Sequence, residues 1–351
     1  MYERPGRRWA QALATLALVE RRSTALTTAA RWRQVVTAGP DAYLLPGAEA
    51  LPPSLAPSGS PTRRPLRAPV SADLVQLGKF DRGRQVRMRA FYGAAGISVR
   101  VQAASRDAAV RHGVARSVTA AQVVAAHRPD LMPRMVDHGT VLRGRTAYLT
   151  EETVTGRMPQ DPAEVAVAMT GVARELGAVQ RAVGITARPL GAVAHPRFAE
   201  RWRAVVAGGH LSPALGAEVE RLIARDARLE VSFTHGDLVS SNVFLDDDRI
   251  VLIDWEYAGE QPIAFDLAKM HINAGPAGPA TDALDGALEQ TVGHDRGHYT
   301  LVEQLALAHA VVLSRLEARL VRARQAGRLG PLERQTRKRA LALRELLAMR
   351  G

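Results

Sequence analysis

The chain has 351 residues, 46% of them hydrophobic, and a net charge of +12. That is enough apolar material for two lobes or domains rather than one. Cysteine is absent, which excludes a disulfide framework and thiolate chemistry and fits a reducing, cytoplasmic compartment. No apolar run approaches the ~18 residues that a membrane span needs.

The charge is unevenly placed. Residues 1–70 hold ten Arg against four acids, and residues 315–351 hold eleven basic residues against three acids. Residues 71–314 are near neutral, with 26 basic and 28 acidic residues. A basic surface suits an anionic partner, and it is equally the ordinary look of a solvated Arg-rich face.

In chain order, residues 1–37 read as helical, with Trp9, Leu13, Leu16, Leu26 and Trp32 among polar positions. WAQALATLALV follows two arginines but is interrupted by Gln11 and closed by Glu20, Arg21 and Arg22. It reads as an amphipathic helix, not a targeting signal. Residues 46–69 contain seven prolines and predict an extended or disordered linker. From residue 73, DLVQLGKF, RQVRMRAFYG and GISVRVQA read as three consecutive antiparallel strands. A helix over 107–127 and two further strands, MPRMVDHG and TAYLTEETV, complete a five-stranded lobe around one helix. Beyond Gly156 the pattern is mostly helical, with helices expected over 161–184, 197–207, 213–229, 280–292, 298–326 and 331–349. Embedded among them is VSFTHGDLVSSNVFLDDDRIVLIDWE, which reads as strand, loop, strand, turn, strand. The division expected is therefore a helical extension and linker over 1–70, a small lobe over 71–155 and a large lobe over 156–351.

In THGDLVSSNVFL a loop between two apolar strands carries Asp237 and Asn242, and the next strand delivers Asp254. Oxygen ligands from loop and strand ends suit a hard cation such as Mg²⁺, and one acid is left to accept a hydroxyl proton. Taken singly, Asp and Asn at such places usually cap turns. The fixed spacing and the strand context favour the site.

HGDLVSSN followed by LIDWE and FDLAKM resembles the signature of the aminoglycoside phosphotransferase and choline kinase-like family. The resemblance implies an α+β, bilobal protein kinase-like fold that uses ATP and Mg²⁺ to phosphorylate a hydroxyl. It implies that Asp237 is the catalytic base or hydroxyl-orienting acid, that Asn242 and Asp254 hold Mg²⁺, and that His235 and Asp266 are structural supports. It also places adenine against backbone groups around Glu152 to Val154.

The N-terminal lobe departs from the kinase pattern. Arg100 stands in ISVRVQA where a Lys is expected, and the helix after it, RDAAVRHGVARSVTAAQVVAAH, has no Glu to pair with it. Arg100 is then either a phosphate clamp or an outward strand residue. Gly83 in GKFDRGRQ could cover the phosphates through backbone N–H groups, and Lys79 and Arg84 are alternative phosphate contacts. Three classes of function follow: a phosphotransferase, a pseudokinase acting as a binding module, or a basic adaptor. Nothing resembles an RNA-recognition or helix-turn-helix signature, so no specific nucleic acid is expected. Among acceptors, the basic ends favour an anionic partner, such as the Ser or Thr of an acidic ribosomally made precursor peptide served by a partner lyase, with another natural-product hydroxyl of secondary metabolism as the other acceptor of this kind. The alternative is an antibiotic-resistance kinase for a small molecule.

Overall fold

The computed structural model describes residues 5–26, 32–38, 42–44, 66–77, 87–103, 113–246, 249–292, 297–325 and 329–350. They form two compact units, residues 1–157 with 251–257, and residues 158–250 with 258–351.

The first unit opens with helix α1 (Pro5–Arg22) and strands β1 (Trp32–Ala38), β2 (Ala42–Leu44), β3 (Leu66–Pro69) and β4 (Leu74–Leu77). Strands β5 (Arg87–Tyr92) and β6 (Ile97–Ala103), helix α2 (Gly113–Ala125), and strands β7 (Met135–Val141) and β8 (Thr146–Glu152) follow. All eight strands join one antiparallel sheet in the order β3-β1-β2-β4-β5-β6-β8-β7. The five strands read from the sequence are therefore present as β4 to β8, and three more extend the sheet beyond β4.

In this unit two expectations need correction. The helix expected over 1–37 stops at Arg22, and 32–38 is strand. Val35, Val36 and Thr37 are β-branched and fit a pleated surface better than a helix. The linker expected over 46–69 ends in strand β3, which pairs with β1 at the edge of the sheet. An edge strand is where Pro69, which has no N–H to donate, is tolerated.

Alternation along β5 and β6 sorts their side chains onto two faces. Met88 faces Val101 and Ala90 faces Val99 across the ladder, and all four are buried. They form one core with Ala12, Leu13, Leu16, Ala17 and Val19 of α1. The same helix is anchored by Glu20, which is 5% exposed. Its carboxylate accepts from Ser71 N (2.8 Å), Ala72 N (3.2 Å) and Tyr92 Oη (2.8 Å). The opposite face of the sheet carries Arg87 and Arg89 of β5 and Arg100 of β6.

The second unit begins with helix α3 (Pro162–Val183), capped by Asp161, whose side chain accepts from Glu164 N. Strand β9 (Thr186–Pro189), helices α4 (Leu190–Val193), α5 (Phe198–Ala207) and α6 (Pro213–Arg225), and strand β10 (Arg228–Thr234) come next. Strands β11 (Val243–Asp246) and β12 (Arg249–Leu252) pair with each other, and the chain crosses between the units at 250/251, inside β12. Strand β13 (Gly259–Pro262) and helices α7 (Ile263–His271), α8 (Ala277–Leu288), α9 (Leu301–Leu313), α10 (Leu316–Gln325) and α11 (Leu329–Ala348) complete the unit. Strand β10 lies between β13 and β9 in a small antiparallel sheet. The helix expected over 298–326 is two helices, α9 and α10, divided at Ser314–Arg315. Helix α9 starts at a capping box of Thr300 and Glu303, the local signal that fixes its first turn. The expected helix over 213–229 ends at Arg225 because Asp226 adopts a left-handed conformation (φ 41°) and the chain enters β10.

Candidate active site

Strand β10 ends at Thr234 and delivers the loop of residues 235–239. Gly236 sits at φ 82°, a conformation that glycine adopts without a Cβ penalty. The loop is held from beneath by Asp266 in the first turn of α7, which is 5% exposed. Its carboxylate accepts the backbone N–H groups of His235 (2.7 Å), Gly236 (3.0 Å) and Leu238 (3.4 Å). Burial pushes the Asp266 carboxyl up from its ordinary value, against the opposing pull of His235 and Lys269. His235 is fully buried, and its Nδ1 accepts from Asp237 N at 3.3 Å. Its geometry is that of a loop support.

Asp237 is the half-buried product of this arrangement, with its side chain 39% exposed. Its Oδ1 lies 2.5 Å from Lys269 Nζ, which also donates to Gly236 O at 3.2 Å. Among the described residues Oδ2 of Asp237 meets no hydrogen-bond donor, which leaves it for another. Asn242, 8% exposed, donates Nδ2 to Asp237 O at 3.0 Å. The bond fixes the amide and leaves Oδ1 as the atom available to a cation. Lys269 was not singled out from the sequence. The signal was present: in FDLAKM it stands three residues after Asp266, and i, i+3 residues share a helix face.

In the first unit, Asp254 follows β12 and takes φ 68°, one of four non-glycine residues with positive φ among the described residues. Asp tolerates this region better than most residues, and strain of this kind gathers at functional sites. Trp255 beside it is fully buried and donates Nε1 to Leu252 O at 2.9 Å, which pins the turn. The Asp254 side chain is 42% exposed, and its Oδ1 accepts from Arg100 at 3.3 Å.

Arg100 thus points from the sheet toward Asp254, and its second partner is Glu151 of β8 at 3.0 Å. Arg89 pairs with the other oxygen of Glu151. The anion absent from α2 is therefore supplied by a neighbouring strand. Burial alone raises the Glu151 carboxyl, but the Arg100 and Arg89 guanidiniums outweigh it and hold the group below the usual carboxylate range. Burial likewise lowers the Arg89 guanidinium, while Glu151 pulls it back.

The remaining residues expected at the site have the following surroundings. Glu152 is engaged with Arg134 at the surface, its amide donates to Arg134 O (3.0 Å), and the amide of Thr153 donates to Gly96 O (2.8 Å). Val154, the next residue, is half-buried. Lys79, Gly83 and Arg84 lie outside the described residues.

A family model described as the phosphotransferase enzyme family matches residues 101–305. The chain belongs to this family. The resemblance to aminoglycoside phosphotransferases and choline kinases is borne out, and so is the kinase-like α+β class. Phosphoryl transfer is the reaction class that goes with membership in this phosphotransferase family.

Among curated proteins, Protein LicA of Haemophilus influenzae is 44% identical over 50 residues, which is 14% of this chain and only 19% of that protein. Among solved structures, an aminoglycoside-3'-phosphotransferase of type VIII is 23% identical, covering 65% of this chain and 88% of that one, with a TM-score of 0.41. A choline kinase LicA from Streptococcus pneumoniae is 12% identical, with 78% and 93% coverage and a TM-score of 0.44. A microcompartment-associated aminopropanol kinase is 11% identical, with 79% and 93% coverage and a TM-score of 0.49. Among the described residues no helix is long and apolar enough to cross a membrane.

Proposed function

We propose that this phosphotransferase uses ATP to phosphorylate a hydroxyl group, with Asp237 accepting or orienting the hydroxyl proton. One observation carries the reading. The loop that presents Asp237 is braced by three backbone bonds to Asp266, and Lys269 fixes one oxygen of the Asp237 carboxylate. A carboxylate held by one oxygen offers the other in a set direction, which is what proton acceptance from a bound hydroxyl requires.

Mg²⁺ fits the residues present. Asn242 Oδ1 and the exposed Asp254 carboxylate are hard oxygen donors. Among the described residues no group of three or more His, Asp or Glu forms a metal cage. Mg²⁺ is usually held by one or two protein oxygens with phosphate and water, and Asp254 in the first unit and Asn242 in the second are each described within their own unit. When bound, the ion would neutralise charge on the transferring phosphates. Asn242 and Asp254 would hold it.

The acceptor belongs to the class of hydroxyl-bearing metabolites or peptide Ser/Thr side chains. The basic ends of the chain support an anionic acceptor, an acidic precursor peptide included. The cytoplasm is the compartment that ATP-dependent chemistry and a cysteine-free chain suit. A turnover screen tests the reading: ATP consumption with cationic aminoglycosides, neutral macrolide-type and nucleoside alcohols, and Ser/Thr peptides with acidic leaders. Asp237→Asn should fold normally and lose transfer to the acceptor so identified. Near wild-type turnover in that variant would overturn the role of Asp237.

A further inference from the structure

Register places Arg89 of β5 directly opposite Arg100 of β6, so two guanidiniums leave the same face side by side. Like charges opposed across an antiparallel pair are destabilising unless an anion lies between them. Glu151 supplies it, one carboxylate oxygen to each arginine, and its side chain is 2% exposed. The count of charges is then two cations against one buried anion. The fourth charge is Asp254, 42% exposed and joined to Arg100 by a single contact of 3.3 Å. Among the described residues, the buried Nε–H groups of Arg89 and Arg100 have no hydrogen-bond partner. Helix α2 contributes no acid, and its sequence, GVARSVTAAQVVA, holds none.

We propose that Arg89, Glu151 and Arg100 form a two-guanidinium clamp for a polyphosphate chain, with Arg89 as a second phosphate-binding residue and Glu151 as the positioning residue for both. The inference rests on the reading of the protein as a nucleotide-dependent phosphotransferase. Two planar forks on the same face suit successive phosphoryl groups better than the point charge of a single ammonium. Glu151 neutralises only one of them and is too buried to be displaced. Asp254 is exposed and weakly held, so its place beside Arg100 is the one that an incoming phosphate can take. The residual positive charge then meets an anion of the ligand.

A buried Arg–Glu–Arg group can also be purely structural, and the experiment separates the two. Mg²⁺-ATP, Mg²⁺-tripolyphosphate and adenosine are titrated calorimetrically into the full chain and into Glu151→Gln, Arg89→Gln and Arg89→Lys. Arg89→Gln and Glu151→Gln should each weaken ATP and tripolyphosphate about 10- to 100-fold, the range expected for a lost charge-assisted bond. Adenosine affinity should stay within about twofold, and Arg89→Lys should recover part of the loss. If Glu151→Gln fails to fold, the two Arg89 variants decide alone. Unchanged ATP and tripolyphosphate affinity in Arg89→Gln, or equal losses for ATP and adenosine, would overturn the clamp while leaving the nucleotide reading standing. Wild-type protein that binds tripolyphosphate through Arg89 but neither ATP nor adenosine would keep the clamp and refute the nucleotide reading. Wild-type protein that binds none of the three would sink both.

Discussion

Replacing Asp266 by Ala removes the acceptor for the backbone of residues 235, 236 and 238. Of the three bonds, those at 2.7 and 3.0 Å are well formed and the one at 3.4 Å is marginal. A charge-assisted bond is worth ~1.5–3 kcal/mol, so the two good ones amount to ~3–6 kcal/mol. Against this stands the burial that already pushes the carboxyl upward, a cost the Ala variant no longer bears. The net loss expected is ~2–4 kcal/mol, a large part of the ~5–15 kcal/mol that holds a domain folded. Chemical denaturation followed by circular dichroism measures it. Turnover should fall more than stability suggests, because a displacement of ~1 Å at Asp237 costs about 10²-fold. Asp266→Asn keeps one acceptor oxygen but turns an NH₂ group toward an N–H, so it should lie between wild type and Ala. A midpoint for Asp266→Ala that corresponds to within ~0.5 kcal/mol of wild type, with unchanged turnover, would refute the claim that α7 braces the loop.

Asp254→Asn keeps a side chain that tolerates φ 68°, so it tests charge without backbone strain. It should abolish the Mg²⁺-dependent part of the thermal stabilisation by a non-hydrolysable ATP analogue, and equal stabilisation in variant and wild type would count against a metal role. Glu151 has a folded pKa below its unfolded value, so its contribution is fully present above the usual Glu range near ~4.3 and is lost as pH falls through the folded value. Acid unfolding curves should therefore be shallower in Glu151→Gln than in wild type. Glu20→Ala removes the carboxylate that accepts from Ser71 N, Ala72 N and Tyr92 Oη and should cost ~3 kcal/mol in denaturation experiments, with Glu20→Gln losing less.

The strands β4 to β8 and the loop around Asp237 were legible because their signals are local. Alternation of apolar residues marks a half-buried strand, and the spacing of Asp237, Asn242 and Asp254 marks the loop. What escaped reading depends on partners distant in sequence. Strands β2 and β3 are short, and β1 to β3 are stabilised by pairing with one another and with β4, which no local pattern announces. Helix α7 carries both Asp266 and Lys269, but nine residues from Ile263 to His271 make a short helix with buried residues around much of its girth, and such a segment lacks a clean amphipathic period. The partner of Arg100 was sought on the helix that follows β6. It lies instead on β8, 51 residues further on, where only the register of the sheet brings Glu151 within reach.

That relocation has a mechanistic consequence. In kinases whose basic residue pairs with a helix Glu, the position of the helix decides whether the pair forms, and activity can be controlled by moving it. Here cation and anion are both fixed to strands of one antiparallel sheet, with Val99 opposite Thr150 and Arg100 opposite Leu149. Helix α2 is tied to the same sheet at its first turn, where Val114 N donates to Gln102 Oε1 of β6 at 3.1 Å. A shift of α2 would break that bond but would leave Arg89, Arg100 and Glu151 in register. The pair is thus assembled as soon as the sheet folds, and substitutions confined to the solvent side of α2 should leave nucleotide affinity unchanged. Exposed Ala115 and half-buried Arg116 offer the contrast. Ala115→Glu should bind the ATP analogue as wild type does, whereas any change at Glu151 should not. An affinity loss in Ala115→Glu comparable to that of Glu151→Gln would mean that the helix still governs the clamp.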